Sequence, residues 1–361
     1  MKWNHVLKAG VSIVAVAACF SAQAASNGVT VSIAPEKSSL NKDEDVVVRV
    51  TITNTSSTPQ YILKWHTPFA GVEEALFDVT RDGVKVPYLG AHYKRPAPTA
   101  KDYYLLKPGA SHTAKVELSA IYDMSVTGDY AIRYHAAAMD LFAHGQAAAA
   151  KIARGVDEIE SAPAALWING RLERGTIVGS PFELQKAPSN PGPASLGFTN
   201  CTASQQSTIA SAITTAKSMT DNSVSYLASG TAGARYTKWF GTYTSARYAT
   251  VKANFSAIKD GFDNKPVVVD CKCKQNYYAY VYPTQPYKIY VCKAFWTAPM
   301  SGTDSKGGTL IHEMSHFNAV AGTEDWVYGQ SGAASLAISD PAKAIDNADS
   351  HEYFGENTPA L

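Results

Sequence analysis

Gly307-Gly308-Thr309-Leu310-Ile311-His312-Glu313-Met314-Ser315-His316-Phe317 is the stretch that decides how this chain is read. His312 and His316 are four residues apart, so a helix places both imidazoles on one face. The pattern predicts such a helix from about Gly307 to Asn318. Two neutral imidazoles on one face are half of a zinc site. Glu313, between them, stands where it can take a proton from a water on the metal. Zinc in a catalytic site needs a third protein ligand and keeps a fourth position for water. H-E-x-x-H alone also describes a surface helix with two ordinary histidines, so the residues that follow must discriminate.

His316 is followed by Phe317-Asn318-Ala319-Val320-Ala321-Gly322, without the third histidine of the metzincin continuation. Where a thermolysin-like enzyme supplies a glutamate on a later helix, this chain has Ser335-Leu336-Ala337. Instead, Gly322-Thr323-Glu324-Asp325-Trp326-Val327-Tyr328-Gly329 follows after a short loop. H-E-x-x-H followed by G-T-x-D-x-x-Y-G resembles the aspzincin family, the deuterolysins and peptidyl-Lys metalloendopeptidases, and every fixed position is present. The resemblance covers roughly residues 195 to 361. It implies a zincin-like metalloprotease domain holding one Zn2+, with Asp325 as third ligand beside His312 and His316. It also implies that Tyr328 directs its hydroxyl at the scissile carbonyl oxygen and that Thr323 supports the metal site. Glu313 would then be the general base on a zinc-bound water and would return the proton to the leaving amine, while zinc and Tyr328 share the charge on the tetrahedral oxygen.

Near the C-terminus stands Asn347-Ala348-Asp349-Ser350-His351-Glu352-Tyr353-Phe354. Asp349 and Glu352 are three apart on a predicted helix, so their carboxylates share a face. The segment looks like the one whose two acids line the lysine pocket of peptidyl-Lys metalloendopeptidases, which implies cleavage on the amino side of lysine in protein or peptide substrates. Two carboxylates in a narrow pocket suit a compact ammonium on a long stem better than a planar guanidinium. His351, between them, reads as an ordinary histidine. The alternatives are a deuterolysin-type protease with a broader preference for basic proteins, or an inactive secreted binding protein on the same scaffold.

Working outward, Cys201, Cys271, Cys273 and Cys292 remain once Cys19 is removed with the leader. An even number in an exported chain suggests two disulfides. A bridge between Cys271 and Cys273 would close a small strained ring, so each is expected to reach Cys201 or Cys292. The aspzincin resemblance implies Cys201–Cys271 and Cys273–Cys292.

The C-terminal part is expected to be α+β, mostly helical with a small antiparallel sheet. Helices are predicted from Ala203 to Leu227, from Ser245 to Gly261, and from Asp340-Pro341 to about Phe354. Pro266–Cys271 reads as a strand, and Tyr277–Tyr282 with Tyr287–Cys292 as a hairpin. Upstream, Pro188-Ser189-Asn190-Pro191-Gly192-Pro193 cannot sit inside a helix or a central strand. It marks a Pro-rich linker over 186–198, ahead of a zinc metalloendopeptidase domain over 199–361.

Before the linker the chain reads as all-β and sandwich-like. Val29–Ile33 and Val46–Thr53 alternate, further strands are expected at Ala75–Thr80, Thr113–Leu118 and Tyr130–Tyr134, and turn signals fall between them. Met139–Ala153 is Ala-rich and is expected to form a short helix. His66, His92, His112, His135 and His144 are scattered and read as surface or hydrogen-bonded histidines. Residues 26–185 are expected to be a propeptide that acts as intramolecular chaperone and inhibitor, with Gln185–Lys186 as a candidate self-processing bond.

Lys2 and Lys8, the apolar run Ala9–Phe20 and Ala22-Gln23-Ala24 read as a secretory signal peptide over 1–25. The run is too short to span a bilayer, so a secreted, extracellular protein without membrane or nucleic-acid partners is expected. The composition agrees. The chain has 361 residues, 45% hydrophobic and 17% charged, with a formal net charge of +1. That supports packed cores in about two domains and lacks the basic excess of a nucleic-acid binder.

Overall fold

Alternation organises the N-terminal region of the computed structural model, which describes residues 26–143, 155–176 and 195–361. The signal-peptide reading, His144, most of the Ala-rich segment, the linker prolines and Gln185–Lys186 lie outside the described residues. In Val47–Asn54 every second side chain is buried, starting with Val48. This strand pairs antiparallel with Val29–Pro35 on one side and Ser111–Glu117 on the other. In a second sheet, Gly128–Ala138 is central and pairs antiparallel with Ala164–Asn169, Phe77–Arg81 and Asp157–Glu160. Val48, Val50 and Ile52 of the first sheet and Tyr130, Ile132 and Tyr134 of the second belong to one apolar core. The buried tyrosines keep their hydroxyls satisfied: Tyr134 donates to the His66 carbonyl at 2.7 Å and Tyr122 to that of Phe77 at 2.6 Å. The central strand runs to Ala138, and Met139–Ala143 is not helical, so the described start of the expected Ala-rich helix is instead a strand end and turn.

The C-terminal region is helical around a sheet. Helices Ala203–Ala228 and Ser245–Asn264 match their apolar periodicity. Ala234–Phe240, too short to show a period, lies between them. Thr202 starts the first helix in a capping box with Gln205. The small sheet is mixed rather than antiparallel, a correction to the expected class. Its order is Leu196–Thr199, Val267–Asp270, Lys288–Val291, Ala279–Val281, His92–Lys94, and the first two neighbouring pairs are parallel. Parallel neighbours need a long crossover, which the helices between Thr199 and Val267 supply. Leu196–Thr199 also lies partly within the stretch read as linker, so the sheet starts before residue 199. The fifth strand, His92–Lys94, comes from the N-terminal region and pairs antiparallel with Ala279–Val281.

Disulfides join Cys201 to Cys271 and Cys273 to Cys292, fastening one strand end to the start of the first helix and to the hairpin. The helix Lys306–His316 is buried along its whole length. Ser305 caps it, accepting from the Gly308 amide at 2.9 Å and donating to Glu356 at 2.8 Å. A Cβ on Gly308 would meet that Glu356 carboxylate at 2.2 Å, so only glycine admits the close approach. The helix expected from Asp340 to Phe354 is two, Pro341–Ala344 and Ala348–Glu356. The break frees the backbone at 346–348 to bond the Glu324 backbone, at 2.8 and 3.0 Å, while the Asn347 amide oxygen accepts from Trp326 at 3.0 Å. These bonds fix the loop that carries Asp325.

Candidate metal centre and lysine pocket

The helix Lys306–His316 delivers both imidazoles to one point, with their Nε2 atoms 3.1 Å apart. The loop after it brings Asp325 to the same point. Its Oδ1 lies 3.4 Å from His312 Nε2 and its Oδ2 3.4 Å from His316 Nε2. The far side of each ring is held. His316 Nδ1 donates to the Thr323 carbonyl at 2.7 Å. His312 Nδ1 lies 2.8 Å from Asp349 Oδ1. A carbonyl can only accept, so the proton of His316 sits on Nδ1 and the Nε2 lone pair faces inward. Thr323 also bonds Ser315 of the helix, hydroxyl to hydroxyl, at 2.6 Å. Gly322 and Gly329, at the ends of the loop motif, have φ of +59° and +86°, where a side chain would be strained.

Both carboxylate oxygens of Asp325 and both of Glu313 are buried without a hydrogen-bond partner. Buried carboxylates left unpaired beside two inward-facing imidazoles are costly unless a cation joins them. The donor set, two nitrogens and one carboxylate with Glu313 alongside, fits zinc. Burial pushes the Glu313 carboxyl up to about 7, with His312 and His316 pulling against it. For Asp325 burial acts in the same direction, but His316 and His312 outweigh it and hold the carboxyl low.

Asp349 and Glu352, on the helix Ala348–Glu356, are fully buried and face one side chain, Lys94. Its ammonium lies 2.8 Å from Asp349 Oδ1, 2.8 Å from Glu352 Oε2 and 3.4 Å from Asp304 Oδ1. The rings of Tyr353 and Tyr278 flank it at 5.3 and 5.5 Å. Burial alone would lower the lysine pKa, but the two acids raise it well above its ordinary value. Asp349 does more than hold lysine. Its Oδ2 also accepts from the Gly329 amide at 2.6 Å, so one carboxylate meets the lysine, His312 and the end of the loop motif.

The backbone around Lys94 is engaged as closely. The Tyr328 hydroxyl donates to the Tyr93 carbonyl at 2.8 Å. The Tyr278 amide donates to the Lys94 carbonyl at 2.9 Å. The Lys94 backbone also pulls the Glu313 pKa down, against the larger effect of burial. Arg95, next along, bonds Glu73 and Glu74 and stacks on Tyr277 at 4.4 Å.

All the site residues expected from the sequence therefore gather within one buried cluster. Reading the sequence missed the occupant. His92-Tyr93-Lys94-Arg95-Pro96 has no periodicity to mark it, and its strand is three residues long. His92 departs from the bland reading given to it: it is buried, with its ring 5.0 Å from that of His316. His351 keeps that reading, bonding the Asn347 carbonyl at 3.0 Å and stacking on Phe255.

Known proteins give the same picture. The family model described as lysine-specific metallo-endopeptidase matches residues 225–356. An extracellular protease of Aeromonas hydrophila is 49% identical over 88% of this chain and 89% of its own. A peptidyl-Lys metalloendopeptidase of Armillaria mellea is 38% identical over 95% of this chain and 96% of its own. A solved zinc peptidase from Grifola frondosa, 48% identical, covers 44% of this chain and 99% of its own, with a TM-score of 0.43. With likeness to named proteases running almost the full length of both chains, this chain belongs to the aspzincin family and is a metalloendopeptidase of the peptidyl-Lys type.

Proposed function

We propose that the protein is a secreted, zinc-dependent endopeptidase, made as a preproenzyme, that hydrolyses peptide bonds on the amino side of lysine. The observation that carries this reading is the seating of Lys94. A lysine side chain lies between Asp349 and Glu352 while the carbonyl before it rests on Tyr328. A substrate lysine following the same path would put its own preceding peptide bond between Tyr328 and Glu313.

His312, His316 and Asp325 would hold the zinc ion, with Thr323 and Asp349 fixing the two imidazoles from behind. When bound, zinc supplies Lewis acidity to the carbonyl and to the attacking water. Glu313 takes the proton of that water, and a carboxyl poised near neutrality suits both taking and returning it. It returns the proton to the lysine nitrogen as the bond breaks. Tyr328 stabilises the carbonyl oxygen as it gains charge. Asp349 and Glu352 draw the lysine ammonium into a dry pocket, where its charge is matched.

Residues 1–25 serve as the signal peptide, and residues 26–185 as a propeptide that covers the cleft until it is removed, with Gln185–Lys186 as a boundary bond. The extracellular naming of a relative and the strand His92–Lys94 across the cleft support this. No helix among the described residues is long and apolar enough to cross a membrane.

The test is a digest of a denatured protein, rich in lysine and arginine, by the zinc-loaded mature enzyme, beside a Glu313→Ala control. Peptide termini are read by mass spectrometry. Peptides beginning with lysine, absent from the control, are the expected result. Cleavage without lysine preference would remove the pocket assignment, and no Glu313-dependent cleavage would remove the enzyme reading. Lys186 found inside the mature chain would remove the Gln185–Lys186 boundary.

A further inference from the structure

The strand His92–Lys94 lies on the catalytic sheet as a substrate would, with its Tyr93–Lys94 bond inside the site proposed to cut it. We propose that His92 is a metal ligand in the proenzyme, and that by taking the metal's open position it stalls hydrolysis of the correctly seated Tyr93–Lys94 bond. This rests on the zinc-protease reading above.

Three observations carry the substrate-like seating. The strand adds antiparallel to Ala279–Val281, the edge-strand mode by which extended peptides are recognised. The ammonium of Lys94 fills the pocket of Asp349 and Glu352. The Tyr93 carbonyl accepts from Tyr328. Strand geometry then dictates where His92 goes. Side chains two apart share a face, so if Lys94 points into the protease, so does His92.

There it meets the metal site. A His92 ring nitrogen lies within 4.8 Å of ligand atoms of His316 and Asp325, and these three residues by themselves form a buried group able to hold a metal. His92 is 6% exposed, and its Nδ1 has no hydrogen-bond partner. Glu324 Oε2, 3.7 Å from that nitrogen, is too far to satisfy it. A buried histidine with an unpartnered Nδ1 and a ring nitrogen beside two of the three proposed ligands is explained by a cation between them. Four protein ligands are the closed arrangement of structural zinc sites, whereas catalytic sites leave one position open. The attacking water would find that position filled.

Release of His92 would restore the open position with Tyr93–Lys94 still in place. Hydrolysis would then break the Tyr93 carbon to Lys94 nitrogen bond and form a carbon to oxygen bond with water. One proton of the water passes through Glu313 to the Lys94 nitrogen and the second leaves the new carboxyl group for the same nitrogen, giving a Tyr93 carboxylate and a Lys94 ammonium. No further reactant is required.

The experiment uses the full-length proenzyme with Glu313→Gln, so that no cutting occurs, loaded with zinc. X-ray absorption at the zinc edge counts imidazoles. Three are expected, falling to two in His92→Phe, which keeps a ring against His316 but offers no nitrogen. Zinc affinity by chelator competition should fall at least as far as the ~10–100-fold typical of losing even an outer-shell partner. His92→Asn, with a melting curve for each variant, separates ligand loss from misfolding. In the Glu313-intact chain, His92→Phe should accumulate a fragment starting at Lys94 at least about tenfold faster than wild type by the barrier arithmetic of one lost ligand contact, and adding Lys94→Gln should abolish that fragment. Two imidazoles in both proteins would overturn the inference alone, leaving the protease reading in place. A chain that binds no zinc and shows no Glu313-dependent cleavage would overturn both.

Discussion

The N-terminal and C-terminal regions treat charge in opposite ways. In the N-terminal sheets the charges stay at the rim. Arg133 bridges Asp78 and Glu160 at 2.6 Å each, with all three side chains a third or more exposed, over a core of aliphatic and aromatic residues. In the C-terminal region they go inside: His312, Glu313, His316, Asp325, Asp349 and Glu352 are all buried. Among the described residues, the buried acidic, basic and histidine side chains of the N-terminal region are His66, Glu74, His92, Lys94 and Arg95, and these gather where that region meets the catalytic cluster. Buried ion pairs are weak sources of stability, and a lone buried charge is costly. Buried charge clustered around His312 and His316 therefore marks chemistry, unlike Arg235 and Glu356, which hold a carbonyl and a helix cap, and the N-terminal charges placed inside mark what that cluster is covered by.

Four measurements would break or sharpen this contrast. The largest effect belongs to Glu313. Glu313→Gln should lower turnover by about 10²–10⁴-fold, the range for losing a general base, with zinc content by metal analysis unchanged. Retained turnover would mean that the buried carboxyl is structural. Next is Lys94→Ala in the full-length chain. It strands two buried carboxylates and should cost about 3–5 kcal/mol in chemical unfolding. Lys115→Ala, which removes an exposed pair with Glu36, should leave the midpoint where it is. Equal effects at the two sites would dissolve the contrast.

Tyr328→Phe follows, with an expected loss of about 10²–10³-fold in kcat and little change in KM, as for other oxyanion donors. A change confined to KM would recast the hydroxyl as a binding group. The smallest effect is at the rim. The His135 hydrogen bond holds the Asp78 carboxyl below its ordinary 3.8, against partial burial and with help from Arg133. A depressed carboxyl supports the fold fully above its unfolded pKa and loses that support as pH falls through its folded one. Asp78→Asn should therefore lower stability modestly at neutral pH and flatten the acid limb, the two proteins converging as pH falls below about 4. A difference that grew as pH fell would contradict this.

The same contrast explains how much was legible in the sequence. The metal centre could be read because its chemistry is local: His312, Glu313 and His316 sit on one helix, and Asp325 and Tyr328 on the loop beside it. The long helices Ala203–Ala228 and Ser245–Asn264 were legible from period, and the central N-terminal strands from alternation. Parallel pairing in the catalytic sheet was not, because Leu196–Thr199 has four residues and its partner lies about 70 positions on. The break at Asn347 was hidden because its cause is tertiary, the bonds to Glu324 and Trp326. Lys94 and His92 were invisible for the same reason: three residues carry no period, and their partners lie more than 200 positions away.

Asp349 has a consequence for how this protease could diversify. The one carboxylate grips the lysine ammonium, steadies His312 at 2.8 Å and receives the Gly329 amide. Any drift at this position aimed at a new side-chain preference would disturb the metal site in the same stroke. Glu352 stands 3.5 Å from the same ring nitrogen and is the looser of the two. On the proposed reading of this pocket, retuning selectivity, by selection or by engineering, would have its freer path through Glu352, with Asp349 as the fixed pivot.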